Sequence, residues 1–90
     1  MSIKVEIEPV FLPDQSVGSL NVEVEGKTIG ECLKNLVEKE PYLNSKIFEK
    51  DGRQSSAVVI ALNHFALYVK AFDKEVKDGD VISLHDGGGG

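Results

Sequence analysis

Cysteine occurs once in these 90 residues, histidine twice and basic side chains sparingly, and each scarcity removes a class of function. A lone thiol, Cys32, closes no internal disulfide, and together with two histidines it makes no cluster with structural zinc or iron–sulfur spacing, so no metal site is expected. Ten Lys and Arg against fifteen Asp and Glu leave a net charge of −5, the wrong sign for holding a phosphate backbone by counterion release. Nowhere do about 18 apolar residues run together, so no membrane span is expected. The N-terminus, Met1 to Glu8, alternates in polarity where a signal peptide carries an apolar stretch of about 7–15 residues. A cytoplasmic protein that binds neither nucleic acid nor membrane is the expectation.

What remains is a hydrophobic share of 41% with 28% charged residues, ordinary for one small globular unit, since a second core would need roughly 50 more residues. Glycine is the unusual count. There are nine, and four of them, Gly87, Gly88, Gly89 and Gly90, close the sequence. The expected organisation is a folded domain over 1–86 and a flexible glycine tail over 87–90.

Ile3, Val5 and Ile7 alternate with Lys4, Glu6 and Glu8, and Leu20, Val22 and Val24 alternate with Asn21, Glu23 and Glu25, the period-2 pattern of two half-buried strands. The connection from Pro9 to Ser19 holds Pro13, Asp14 and Gly18, is long for a hairpin, and is expected to be loose in part. A helix over about Thr28 to Glu40 follows, with Thr28 as N-cap, Glu31 completing a capping box and Pro41 closing the segment. Its apolar residues Ile29, Cys32, Leu33, Leu36 and Val37 form one stripe at 3.6-residue spacing. Residues 42–56 are irregular, with Leu43, Ile47 and Phe48 available to pack and a turn at Asp51-Gly52. Val58 to Leu62 reads as a central strand, Asn63-His64 as a turn, and Phe65 to Val69 as a shorter strand. Asp78-Gly79-Asp80 turns the chain into a last strand, Val81 to His85, with Ile82 and Leu84 on one side and Val81, Ser83 and His85 on the other. The order describes an α+β arrangement, a mixed sheet of four to five strands with one main helix packed on one face. The other sheet face carries Glu6, Glu8, Glu23, Glu25, Val59 and Ser83.

That order, ending in a strand and glycines, resembles the β-grasp fold of the ubiquitin-like sulfur carriers, the family of the molybdopterin synthase small subunit and the thiamine sulfur carrier. The residues that carry the resemblance are Gly26-Lys27-Thr28-Ile29-Gly30-Glu31, Pro41-Tyr42-Leu43, Ile47-Phe48 with Asp51-Gly52, Ala61-Leu62-Asn63, and Lys77-Asp78-Gly79-Asp80-Val81-Ile82 before the tail. The insertion around Tyr42 to Arg53 is similar to the longer, molybdopterin-type members. Family members usually end in a single Gly-Gly after a small or apolar residue; here His85-Asp86 precede four glycines.

The resemblance implies a carrier that is not itself an enzyme. A partner related to ubiquitin-activating enzymes would adenylate the carboxylate of Gly90 with ATP, and sulfur would replace AMP to give a thiocarboxylate for molybdopterin, cysteine, thiamine or tRNA thiolation chemistry. A sulfur-transfer or synthase enzyme would be the second partner, the carrier would be a monomer when free, and it would bind no cofactor of its own. The alternative is a ubiquitin-like modifier joined through Gly90 to lysines of target proteins. Gly87, Gly88 and Gly89 would thread a partner's channel, since glycine passes where side chains do not and takes extended or positive-φ conformations at little cost; four extended glycines reach about 13–14 Å.

Other residues carry weaker signals. Cys32, on the apolar stripe of the helix, reads as a small buried hydrophobe. His64 reads as a solvated turn residue with no acid or nucleophile placed to form a relay. His85, facing outward beside the tail, is a candidate contact for the activating enzyme, along with Ser83, Val59, Glu6 and Glu23. The acidic sheet face reads either as a solvated surface or as a docking surface for a basic partner. A row of acids on two strands does not converge into a cation cage.

Overall fold

The computed structural model describes residues 2–14 and 18–87. Strands β1 (Ser2–Ile7) and β2 (Leu20–Glu25) form the first antiparallel pair, with Val5 opposite Val22 and Ile7 opposite Leu20. Ile3, Val5 and Ile7 are fully buried, so the alternation seen in the sequence is the inside–outside alternation of a pleated strand. The connection between the two strands is anchored at its start. Pro9–Phe11 makes a 3-10 turn, and Phe11 and Leu12 enter the core; residues 15–17, in its middle, lie outside the described residues.

Helix α1 (Ile29–Lys39) begins and ends where the capping signals place it. The Glu31 N–H donates to Thr28 Oγ1 at 3.2 Å and the Lys27 N–H to Glu31 Oε1 at 3.1 Å, the reciprocal bonds of a capping box. Ile29, Cys32, Leu33 and Leu36 are fully buried beneath it, each burial stabilising by about 1.5–3 kcal/mol for the large aliphatic side chains. Residues 41–47 form a 3-10 turn followed by the short helix α2 (Asn44–Ile47), and Leu43 and Ile47 fill the core. Phe48 stacks in a tilted arrangement on Phe72, with ring centroids 5.1 Å apart.

Strands β3 (Val58–Leu62), β4 (Phe65–Leu67) and β5 (Val81–Asp86) complete one five-stranded sheet in the order β2-β1-β5-β3-β4. The middle position belongs to β5, while β3, which its apolar run marks as central, sits one place toward the edge. β5 runs parallel to β1 and antiparallel to β3; the parallel neighbours are joined by a crossover that includes α1, as such pairs require. Asn63 and His64, both with positive φ (49° and 74°), form the tight turn between β3 and β4, and positive φ at both central positions matches the twist of a two-residue hairpin. The architecture is the α+β, β-grasp arrangement expected, with helices on one face of a mixed sheet and the other face open.

Candidate functional site

The open face and the end of β5 carry the residues that the sequence singles out. Because Glu6 pairs with Ser83, and His85 with Val59, these side chains form adjacent rows across β1, β5 and β3. Ser83 is buried, only 3% exposed, and its Oγ donates to Glu6 Oε1 at 3.2 Å. It is thus the floor beneath Glu6 and offers little surface itself. Val59 is half-buried, and His85 is exposed. Glu23 lies farther along the same face, opposite Lys4, so the row of acids is interrupted by a cation. The Lys39 ammonium also reaches this region from α1, donating to the Glu23 carbonyl at 2.7 Å.

At the end of β5 the backbone is held from both sides. The Asp86 N–H donates to Glu8 Oε1 at 2.7 Å and the Gly87 N–H to the Ala57 carbonyl at 2.9 Å. The other Glu8 oxygen lies 3.5 Å from His85 Nδ1, an ion pair whenever the imidazole is protonated. A Cβ on Gly87 would stand 3.0 Å from the Ser56 carbonyl oxygen and 3.3 Å from the Ala57 carbonyl carbon. Both are backbone atoms, so glycine is the residue that fits here without displacing β3. Gly88, Gly89 and Gly90 lie outside the described residues.

Glu8 had no signal in the sequence beyond its place in the acidic row. The usable hint is its position before Pro9, which has no N–H to extend the strand.

The remaining candidates lie elsewhere. Cys32 is fully buried, and burial, helped by the neighbouring Glu31 and Glu25 charges, pushes its thiol up to about 11, so thiolate chemistry is suppressed at neutral pH. His64 is an exposed turn residue. Among the described residues no group of three or more His, Cys, Asp and Glu side chains is placed to hold a metal ion, and every buried side-chain nitrogen or oxygen has a hydrogen-bond partner. A surface depression between α1 and residues 44–52, lined by Lys34, Val37, Phe48 and Lys50 among others, is remote from the open face. Among the described residues no helix is long and apolar enough to cross a membrane.

No protein-family model matches the chain, and no curated protein does. Solved structures do match along nearly the whole length. A chain of the Amycolatopsis orientalis BexX/CysO complex superposes with a TM-score of 0.79 at 19% identity, covering 98% of each chain. CysO of Mycobacterium tuberculosis gives 0.78 at 18% identity over 93% of this chain and 97% of that one. SAMP1 of Haloferax volcanii, a small archaeal modifier protein, gives 0.73 at 22% identity over 96% and 94%. The chain therefore has the ubiquitin-like β-grasp fold that these proteins share.

Proposed function

We propose that this chain is a sulfur carrier whose Gly90 carboxyl group is activated by a partner enzyme and converted to a thiocarboxylate. One observation carries it: the middle strand of a β-grasp sheet ends at Asp86, whose N–H is held by Glu8; the next N–H, that of Gly87, is held by Ala57; and the sequence continues from there as glycine to Gly90. In the first step the Gly90 carboxylate attacks the α-phosphorus of ATP bound by the partner, forming an acyl–adenylate and releasing pyrophosphate. In the second a hydrosulfide equivalent attacks the acyl carbon and AMP leaves, so that a carbon–sulfur bond replaces the carbon–oxygen bond to phosphate. The acyl carbon of glycine has no side chain beside it to block this approach. The chain supplies a tethered acyl group and the partner supplies the catalytic residues.

An activating enzyme of the ubiquitin-activating type and a sulfur-transfer or synthase enzyme are the partners of this reading. Gly88 and Gly89 would enter their channels, with Gly87, bonded to Ala57 at the strand end, at the channel mouth. His85 and Val59, exposed and half-buried beside the strand end, with Glu6 and Glu23 farther out, would meet the partner's surface. Mixing the chain with its activating enzyme and ATP should give pyrophosphate exchange that vanishes when the Gly90 carboxyl is blocked as its amide. Exchange that persists with the amide, or never occurs with the free acid, would remove the carboxyl group from the chemistry.

The likeness to an archaeal modifier protein favours a second use of the same adenylate, an isopeptide bond from Gly90 to lysines of target proteins. The same intermediate serves both, the nucleophile being an amine in place of sulfide. Higher-mass conjugates in cells, lost on deletion of Gly89 and Gly90, would establish that use.

A further inference from the structure

The parallel ladder between β1 and β5 stops abruptly at Glu8, and the way it stops involves that residue twice. Up to this point the bonds alternate regularly, and the Glu8 N–H donates to the Leu84 carbonyl at 3.4 Å. The next rung of a parallel ladder would run from the Asp86 N–H to the Glu8 carbonyl. That carbonyl is taken: it accepts the Phe11 N–H at 3.0 Å, closing the 3-10 turn that begins at Pro9. The Glu8 carboxylate fills the vacated place, with Oε1 at 2.7 Å from the Asp86 nitrogen. A charged acceptor at this distance makes a stronger bond than the carbonyl it replaces.

We propose that Glu8 is a positioning residue: by substituting its side chain for its own backbone carbonyl, it keeps β5 in strand geometry to Asp86 and fixes the point from which the sequence beyond Gly87 is presented to an activating enzyme. The adjacent amide, Gly87 N–H, is held on the opposite side by Ala57, so the last two described amides are secured in opposite directions. From Gly87 to the reactive carboxyl the arm counts three further glycines, a reach of about 10 Å when extended, and Gly87 itself serves the close approach to residues 56–58. Fixing the base of the arm lowers the ordering cost that docking would otherwise carry. The presentation half of the proposal rests on the carrier reading above; the clamp is a property of the fold alone.

The clamp is tested first in the unaltered chain. A scalar coupling across the hydrogen bond from the Asp86 amide to the Glu8 side-chain carboxyl carbon, with slow exchange of that amide, is the expected NMR result; no coupling and free exchange would overturn the clamp. In Glu8→Ala the Asp86 amide should exchange at least about tenfold faster, with Val5 and Ile82 amides unchanged. Glu8→Gln, which keeps an acceptor oxygen, should restore most of the protection. Unaltered Asp86 protection in Glu8→Ala, or an equal loss in both variants, would overturn it. With the activating enzyme, Glu8→Ala should raise the KM for the carrier about tenfold with kcat changed less than about twofold, and Glu8→Gln should stay near wild type. An unchanged KM would overturn the positioning role while leaving the carrier reading intact. A wild-type chain that is never adenylated would overturn the carrier reading and the presentation half with it, while the amide measurements still decide the clamp.

Discussion

Asn63, in the turn between β3 and β4, is bonded to Asp80 at the entry to β5: its Nδ2 donates to Asp80 Oδ1 at 3.1 Å while its own Oδ1 accepts the Val81 N–H at 2.9 Å. Asp80 Oδ2 in turn accepts the Lys77 N–H at 2.9 Å. One side chain thus ties a hairpin turn to the start of the strand that ends in the tail. Asn63→Ala removes both side-chain bonds and leaves a non-glycine residue at φ 49°, and should cost about 2–3 kcal/mol of unfolding free energy. Asn63→Gly loses the same bonds without the left-handed penalty and should be more stable than Asn63→Ala by about 1 kcal/mol. Urea unfolding of the two variants checks the split.

Asp80 also carries a pH dependence. The Asn63 side-chain bond, then the Lys77 N–H, hold its carboxyl below the ordinary aspartate range. A depressed folded-state value means that the contribution is complete above the unfolded value, about 3.9, and is lost as pH falls below that through the folded value. The stability difference between wild type and Asp80→Asn should therefore be widest near neutral pH and narrow below about pH 4. A difference that stays constant across this range would show that the carboxylate charge is irrelevant. Because the group is only half-buried at the surface, the effect is small and weakens with salt.

Gly26 and Cys32 meet closely enough to exclude any side chain at position 26. A Cβ there would stand 2.8 Å from the Cys32 nitrogen and 2.7 Å from its Sγ. Gly26→Ala should destabilise by about 1–3 kcal/mol, and Cys32→Ala should not rescue it, because the backbone nitrogen and Cα remain. Full rescue in the double variant would show that only the thiol is in the way.

The thiol itself should be silent in the folded protein. With its value pushed up to about 11 by burial, Cys32 should react with a disulfide reagent at pH 8 only through unfolding, at a rate that rises with denaturant. A raised folded value also means that stability is complete below the unfolded value, about 8.5, and falls as pH rises from there toward about 11. Fast labelling in native buffer would contradict the burial.

Gly87 is crowded in a related but milder way, with its nearest atoms at 3.0–3.4 Å from a Cβ against 2.7–2.8 Å at Gly26. Gly87→Ala brings a methyl group against the Ser56 and Ala57 backbone, so the Gly87 amide should lose its exchange protection while the core amides keep theirs. Unchanged protection would mean that β3 yields without cost.

Much of this fold is written in short-range patterns. The alternation in β1 and β2, the stripe on α1 and the Thr28–Glu31 box are local features, and the structure places each where its period or cap predicts. Residues 41–56 show no period because they pack through isolated anchors, Leu43 and Ile47, on turns too short to repeat. The middle place of β5 was not legible, since strand order follows from long-range pairing. At the site, the outward direction of His85 followed from alternation. The burial of Ser83 did not, because it depends on Glu6 reaching across from another strand. Glu8 was hidden for the same reason: its partner Asp86 lies 78 residues away in the sequence.

The central claim is that the Gly90 carboxyl is the reactive group, and tandem mass spectrometry of the chain isolated from its own cells tests it most directly. The account predicts a population in which one oxygen is replaced by one sulfur, with the change confined to Gly90. A chain that carries only carboxylate at Gly90, even after treatment with its activating enzyme, ATP and a sulfide source, would contradict it.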